Sequence, residues 1–119
     1  MKRSNSQAAG FLPLTEATFA IMASLAEPRH GYGIMQRVET ASSGRIRLGP
    51  GTLYGVLTKL LRQHLIIRVE EEEINGERRK LYVLTGLGRE VVELESRRLI
   101  EMARLAKNLM TKQEASCQR

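Results

Sequence analysis

Residues 49–62 read GPGTLYGVLTKLLR, and this stretch decides the fold that the sequence predicts. Pro50 suits the first turn of a helix, because the N–H that proline lacks has no partner there. Leucines then recur at helical spacing, which favours one buried side and one side that faces solvent. The predicted inward residues are Leu53, Leu57, Leu60 and Leu61. The predicted outward residues are Thr52, Tyr54, Gly55, Thr58, Lys59 and Arg62.

Period-two alternation follows this helix and predicts a hairpin of two strands. Ile67 and Val69 fall on one face of the first run. In the second run Leu81 and Val83 share a face, and Tyr82 lies on the other. An Asn-Gly dipeptide between the two runs favours a tight hairpin turn. The sequence therefore predicts a two-stranded wing directly after the helix.

Two further helices are predicted before this stretch. Thr15 is a suitable N-cap for the first helix, which we expect to end near Glu27-Pro28, because the residue before a proline disfavours the helical conformation. The second helix follows His30 and closes at Ser42-Ser43-Gly44, with glycine as the stop signal. A short extended connector at residues 45–48 leads to the third helix. Three helices and a wing in this order are typical of a winged helix-turn-helix.

A last long helix is expected to begin after Thr85 and to run to about Met110. Its first apolar set can pack on the chain's own domain and consists of Leu87, Val91 and Leu94. Its second set has no obvious partner within the chain, and covering it would recover roughly 25 cal/mol per Å² of apolar surface. We therefore favour a partner subunit over a helix folded back on its own chain. The predicted dimerisation residues are Leu99, Met102, Leu105, Ala106 and Leu109.

The predicted fold class is mainly α with a small β-hairpin: a winged helix-turn-helix with a long C-terminal dimerisation helix. We expect a flexible basic N-terminal arm at residues 1–11, the winged helix-turn-helix DNA-binding domain at 12–85, the dimerisation helix at 86–110 and a flexible tail at 111–119. For the arm, a featureless tail is favoured over a segment that contacts DNA.

The charge distribution favours a nucleic-acid partner. The formal net charge is +6, and residues 1–62 hold eight basic against three acidic residues. The major groove of DNA is about 12 Å wide and admits one helix, so the N-terminal residues of the third helix would lie nearest the bases. These residues are Gly51, Thr52 and Tyr54, whereas Lys59 and Arg62 would contact phosphates. The open alternatives are a Tyr54 that is half-buried against the preceding helix and a merely solvated Lys59 and Arg62.

The wing carries charges of both signs. Arg78, Arg79 and Lys80 follow directly after the predicted turn, where a basic hairpin commonly meets the minor groove or its phosphates. The opposite strand carries Glu70 to Glu73, which DNA would repel. Either these carboxylates pair with the three basic residues in the free protein, or their strand points away from the duplex.

The composition argues against several other function classes. The chain holds two histidines, one cysteine near its end and no aspartate, so we predict neither an enzyme, nor a metal site, nor a cofactor. His30 and His64 are interpreted as structural. We find neither an apolar run of roughly 20 residues nor a secretory signal, which favours a cytoplasmic protein without a membrane segment. A winged helix that makes only protein contacts stays the alternative to DNA binding, favoured by the acidic strand.

Four motifs in register carry a specific resemblance. They are His30-Gly31-Tyr32-Gly33-Ile34, Pro50-Gly51-Thr52-Leu53-Tyr54, Arg78-Arg79-Lys80-Leu81-Tyr82 and Leu84-Thr85-Gly86-Leu87-Gly88. In order and spacing they resemble the short form of the PadR family, over about residues 12–109. The resemblance implies a homodimeric transcriptional regulator, usually a repressor, that binds an inverted-repeat operator in double-stranded DNA and is released by a small molecule or another signal.

Single residues carry over from the family or depart from it. The motif residues that carry over are Tyr32, Thr52, Tyr54, Arg79, Lys80 and Tyr82, and for Tyr32 a packing role is favoured. Gly49 stands where a serine cap is common, and His64 replaces a glycine expected just past the third helix, where the left-handed conformation suits glycine.

The chain has no tryptophan, which bears on the ligand that the resemblance implies. Some short members that resemble this chain bind flat aromatic drugs between paired tryptophans of the dimer helices. The matching stretch here contains Leu99 and Met102. We therefore expect no stacking pocket of that kind, and an apolar small-molecule effector is the type that stays open.

Overall fold

Helices and strands follow one another in the predicted order. The computed structural model describes residues 7–70 and 76–111, and the statements below concern these residues. The elements are α1 (Glu16–Ser24), α2 (Gly31–Ala41), α3 (Pro50–Arg62), β1 (Ile66–Glu70), β2 (Lys80–Leu84) and α4 (Gly86–Met110). The predicted fold class, mainly helical with one hairpin and a long last helix, is confirmed.

Local signals in the sequence set the helix ends. Thr15 caps α1, where its hydroxyl accepts the N–H of Thr18 at 3.1 Å. Thr85 caps α4 in the same way, accepting the N–H of Gly88 at 3.0 Å. Just past the C-terminal end of α3, His64 adopts a φ of 60°, the left-handed conformation for which a glycine is expected. The predicted caps of both helices are confirmed.

The core lies where the helices face one another and the hairpin. Within α3, the predicted inward leucines are buried, with Leu61 half-buried at the edge. The buried apolar residues are Ala8, Ile21, Met22, Leu25, Ile34, Val38, Leu53, Leu57, Leu60, Leu65, Ile66, Tyr82, Leu84 and Val91. The helices α1 to α4 and both strands contribute to this set, so a single core supports the inner face of α3.

The hairpin presents one face to the core and the other to solvent. Its strands are antiparallel, with Ile67 opposite Val83 and Val69 opposite Leu81. Ile67 and Val69 share a face, and so do Leu81 and Val83, as the alternation predicts. The apolar face that these residues share is the outer one, and Ile67 is 47% exposed. The inner face instead carries Tyr82 and its neighbours along the strands, because this face packs against the helices.

The loop between α1 and α2 forms an isolated β-bridge with the hairpin, between Arg29 and Tyr82. The N–H of Arg29 donates to the carbonyl of Tyr82 at 3.0 Å, and the N–H of Tyr82 donates to the carbonyl of Arg29 at 2.8 Å. One step along, the N–H of Leu84 donates to the carbonyl of Leu25 at 2.9 Å. The helical domain therefore holds the wing through backbone hydrogen bonds to Tyr82 and Leu84 of β2.

The N-terminal arm is shorter than predicted. Residues 7–9 are helical, and Ala8 is fully buried in the core. The N–H groups of Gly10 and Phe11 close this turn onto the carbonyls of Gln7 and Ala8. The prediction of a flexible arm is wrong for residues 7–11, because burial of Ala8 and Phe11 outweighs the lack of a helical pattern in so short a stretch. Residues 1–6, and residues 112–119 of the expected tail, lie outside the described residues.

The last helix is covered for only half of its length. At 25 residues, α4 is about 37 Å long at 1.5 Å per residue. Val91 is buried, and Leu87 and Leu94 pack partly against the core, as predicted for the first apolar set. The second set is exposed on this chain, from 41% at Leu99 to 75% at Leu109. Only Thr85 lies between β2 and α4, so the wing continues directly into this helix.

One charged side chain is buried between the two halves of α4. Glu95 is 1% exposed, and its two carboxylate oxygens accept hydrogen bonds from Arg98 at 2.6 and 3.0 Å. One of them, Oε2, also accepts the backbone N–H of Leu14, just before α1, at 2.8 Å. The carboxylate thus joins the covered part of α4 to the start of α1.

The length and hydropathy of the helices show whether any of them is suited to span a membrane. Neither α4 nor any other helix in residues 7–70 and 76–111 combines the length and the apolar character needed to cross a bilayer.

Candidate nucleic-acid interface

The outer face of α3 is open along its length. All six residues predicted to face outward are exposed. A β-carbon at Gly51 would meet nothing within 4 Å, so the helix start is free to approach a large partner. A helix whose polar face is bare while its leucines lie in the core has the form that a DNA groove accepts.

Tyr54 lies both at the surface and against the preceding helix. Its side chain is 47% exposed. Its hydroxyl lies against Gly31 on α2, where any β-carbon would overlap it. The two interpretations of this residue are therefore compatible: the ring holds α3 to α2 and also presents an edge to solvent.

Two threonines on α3 differ in what their hydroxyls do. The hydroxyl of Thr58 donates to the carbonyl of Tyr54 within the helix at 2.8 Å. Thr52 is exposed at the N-terminal end of the helix, with no side-chain hydrogen bond to the described residues. The Thr52 hydroxyl is therefore available to a ligand, whereas that of Thr58 is already used.

Basic side chains flank the helix. Lys59 and Arg62 lie in the last turn of α3, both exposed. In the wing, Arg79 and Lys80 are exposed as well. Arg78 differs from them, because its Nη1 lies 2.7 Å from Oε1 of Glu70. This ion pair supports the first alternative for the acidic strand at Glu70, whereas Glu71 to Glu73 lie outside the described residues.

Two tyrosines occupy places opposite to those that the sequence predicts. Tyr82 is only 8% exposed and belongs to the core, so its interpretation as a DNA contact is wrong. The cause is that this face of β2 packs against the helices and is part of the core. Tyr32, for which packing is favoured, is 59% exposed on α2 and accepts a hydrogen bond from Gln36 through its hydroxyl at 3.2 Å.

His30 lies between α2 and the wing, a position that the sequence does not reveal. It caps α2, because its Nδ1 accepts the N–H of Gly33 at 3.2 Å, which fits the structural role predicted for it. Its Nε2 also lies 3.5 Å from Nη1 of Arg79. A histidine before Gly-Tyr-Gly signals the cap, but no local pattern signals a contact with a residue 49 positions away.

The described residues hold no group of three or more histidine, cysteine, aspartate and glutamate side chains placed to bind a metal ion. The chemistry of the candidate site is therefore that of hydroxyls, guanidinium groups and two lysines on a surface formed by α3 and the wing.

Three helices followed by an antiparallel hairpin, with the third helix exposed on its polar face, define a winged helix-turn-helix protein. The chain belongs to the transcriptional regulator PadR-like family, which matches residues 21–94. The matched residues include α2, α3, the hairpin and the first part of α4, so the fold described above is that of a PadR-like transcriptional regulator.

Solved structures agree with this assignment. A PadR-like transcription factor from Bacteroides fragilis superposes with a TM-score of 0.67 at 26% identity, covering 90% of this chain and 96% of that one. A PadR family transcription regulator from Clostridium difficile gives a TM-score of 0.65 at 22% identity, with coverage of 79% and 98%. At that identity the second likeness shows the fold alone.

A curated relative is longer. An uncharacterized 37.1 kDa protein in transposon Tn4556 of Streptomyces fradiae is 38% identical over 92 residues. These residues make up 76% of this chain but 24% of that protein, so the chain spans about a quarter of its relative.

Proposed function

We propose that this protein is a homodimeric repressor that binds an inverted-repeat operator. The observation that carries the proposal is the outer face of α3, on which six small, hydroxyl-bearing or basic residues are all exposed, whereas Leu53, Leu57 and Leu60 on the inner face are buried. No packing requirement within the described chain accounts for a bare face of this composition, whereas the major groove does.

The contacts divide by chemistry. Gly51, Thr52 and Tyr54, at the N-terminal end of α3, would reach base edges and the nearest phosphates. Lys59 and Arg62 would contact phosphates on one side. The wing residues Arg78, Arg79 and Lys80 would contact the neighbouring backbone or minor groove, with Arg78 exchanging its carboxylate partner for a phosphate.

The dimer is supported by the uncovered half of α4. Leu99, Met102 and Leu105 are each between 41% and 50% exposed and lie on one side of a helix that extends beyond its own domain. Ala106 and Leu109 continue this stripe. Pairing two such helices about a two-fold axis would bury both stripes and would present two α3 helices to half-sites roughly 34 Å apart.

An effector of this repressor would be apolar. The dimer helices offer leucine and methionine side chains at the exposed stripe, and the chain has no tryptophan with which to stack a flat aromatic ring. A small apolar molecule held between the two α4 helices would change their packing and thereby the spacing of the α3 helices.

The proposal is tested with a fluorescent duplex that contains an inverted repeat from the DNA upstream of the protein's own reading frame. We expect tight binding that weakens steeply with salt, and Lys59→Ala or Arg62→Ala should each flatten the log–log slope by about 0.9. A shuffled duplex is the control for sequence preference, and Arg104→Ala, on α4, is the control for net charge.

Failure to bind any duplex at low salt would contradict DNA binding. It would favour the alternative of a winged helix for protein contacts only, for which the Arg78–Glu70 ion pair is the supporting observation.

A further inference from the structure

Residues 29–31 join the parts of the molecule that we propose to contact DNA, so the inference below rests on the proposed function. Arg29 pairs through its backbone with Tyr82 of the wing. Gly31 lies under the hydroxyl of Tyr54 on α3. His30, between them, brings its Nε2 to 3.5 Å from Nη1 of Arg79. This side chain therefore lies at the junction of the recognition helix and the wing.

The tautomer of His30 follows from its other ring nitrogen. Nδ1 accepts the N–H of Gly33, so it carries no hydrogen, and the neutral ring has its hydrogen on Nε2. The guanidinium of Arg79 is also only a donor. The contact at 3.5 Å therefore brings together two donors, which an oxygen anion placed between them would satisfy at once.

We propose that His30 and Arg79 together bind one backbone phosphate of the DNA. Arg79 supplies the charge, and the Nε2–H of His30 supplies a neutral second donor whose direction is fixed by the cap on α2. A phosphate fits better than a base edge, because the junction flanks the helix that occupies the groove, where the backbone passes. The neighbouring Arg78 is not equivalent, since Glu70 already binds its guanidinium at 2.7 Å.

The cap allows a variant that separates the two roles of His30. Asparagine is a good N-cap residue and can accept the N–H of Gly33, but it is too short to reach a phosphate beside Arg79. His30→Asn therefore removes the donor while keeping the helix start, and His30→Ser is a second variant of the same kind. Thermal unfolding checks that both variants fold.

The experiment measures binding to a random-sequence duplex of about 30 base pairs, because phosphate contacts do not depend on sequence. We expect His30→Asn to weaken binding roughly tenfold, as for a hydrogen bond to a charged group, with the salt slope unchanged. Arg79→Ala should also weaken binding and should flatten the slope by about 0.9. The double variant should bind only slightly more weakly than Arg79→Ala, because both side chains share one phosphate.

Three other results would contradict the shared phosphate contact of His30 and Arg79. If both His30 variants bind within about twofold of wild type, or if the two losses simply multiply, the shared phosphate is contradicted while DNA binding stands. If wild type binds no duplex, the proposed function and this inference fail together. Inorganic phosphate in place of chloride at equal ionic strength should barely compete, and strong competition would make free phosphate the ligand and overturn the assignment to DNA.

Discussion

The buried carboxylate of Glu95, in the middle of α4, accepts the backbone N–H of Leu14 at 2.8 Å. The two residues are 81 positions apart, and the bond fixes the start of α1 to the last helix at the level where that helix leaves its own domain. Arg98 completes the arrangement by binding both carboxylate oxygens. The Glu95 carboxylate therefore stabilises the junction between the winged helix-turn-helix and the proposed dimer helix.

Replacing Glu95 should destabilise the protein. Glu95→Gln keeps the shape but removes the charge that Arg98 and the Leu14 N–H bind, so we expect the free energy of unfolding to fall by about 1–3 kcal/mol. Urea unfolding at neutral pH and fixed protein concentration measures this change. Glu93→Gln, at an exposed position of the same helix, is the matched control and should change stability little. Equal effects of the two variants would contradict the structural role of Glu95.

The same site predicts a pH dependence. The hydrogen bonds from Arg98 hold the pKa of the Glu95 carboxyl below its usual value, burial opposes this, and the N–H of Leu14 adds to the lowering. A carboxyl with a lower pKa in the folded state stabilises the protein above its unfolded-state pKa, and this contribution is lost as pH falls through the folded-state pKa. The stability difference between wild type and Glu95→Gln should therefore shrink in acid, and a difference that grows there would refute the assignment.

Gly88 should tolerate no side chain. A β-carbon there would overlap the backbone carbonyl of Leu65, which the hydrogen bond from the N–H of Thr85 holds in place. We expect Gly88→Ala to lower the free energy of unfolding by about 3 kcal/mol, with a clear fall in Tm. Gly86→Ala is the matched control, because a β-carbon at Gly86 meets nothing within 4 Å. A Tm for Gly88→Ala as high as that of the control would contradict the close approach of α4 to the hairpin.

The hydroxyl of Thr52 should matter for DNA binding, and that of Thr58 should not. Thr52→Val removes an available hydroxyl at the tip of α3, for which we expect roughly tenfold weaker operator binding. Thr58→Val removes a hydroxyl that is already bonded to the carbonyl of Tyr54, so affinity should hardly change. Fluorescence anisotropy with the operator duplex compares the two. The reverse order of effects would show that α3 meets DNA by a different face.

Acidic residues on the exposed stripe of α4 should dissociate the dimer. Leu99→Glu and Met102→Glu would place charges where we propose apolar contact between subunits, so the mass in solution should fall to that of one chain. Light scattering after size exclusion measures this mass. Ile100→Glu is the matched control, because at 3.6 residues per turn Ile100 lies on the opposite side of the helix. A dimer that survives the stripe variants would place the interface elsewhere.

Sequence patterns predicted what depends on neighbouring residues. The spacing of Leu53, Leu57 and Leu60 predicted the orientation of α3, and the alternation around Ile67 predicted which residues share a face of each strand. The left-handed residue after α3 was anticipated too, since His64 adopts the conformation expected of the glycine it replaces. Each of these features is determined within one element and its nearest turn.

Contacts between distant segments escaped the sequence patterns. Tyr82 was assigned to DNA because nothing near it shows that its face of β2 packs against the helices. Ala8 was assigned to a mobile arm because one small apolar residue makes no periodic signal. The approach of His30 to Arg79 accompanies the bridge between Arg29 and Tyr82, which only the folded chain brings about.

The single residue between β2 and α4 has a mechanical consequence. Thr85 is fixed on both sides, since its hydroxyl donates to the carbonyl of His64 at 2.8 Å and accepts the N–H of Gly88. The connection between the wing and α4 is therefore short and held by hydrogen bonds on both sides. In a dimer, a small rotation where two such helices cross would move each wing along an arc whose length is proportional to its distance from the crossing. A modest change of the crossing angle would therefore change the distance between the two α3 helices, which would then no longer match the spacing of the half-sites.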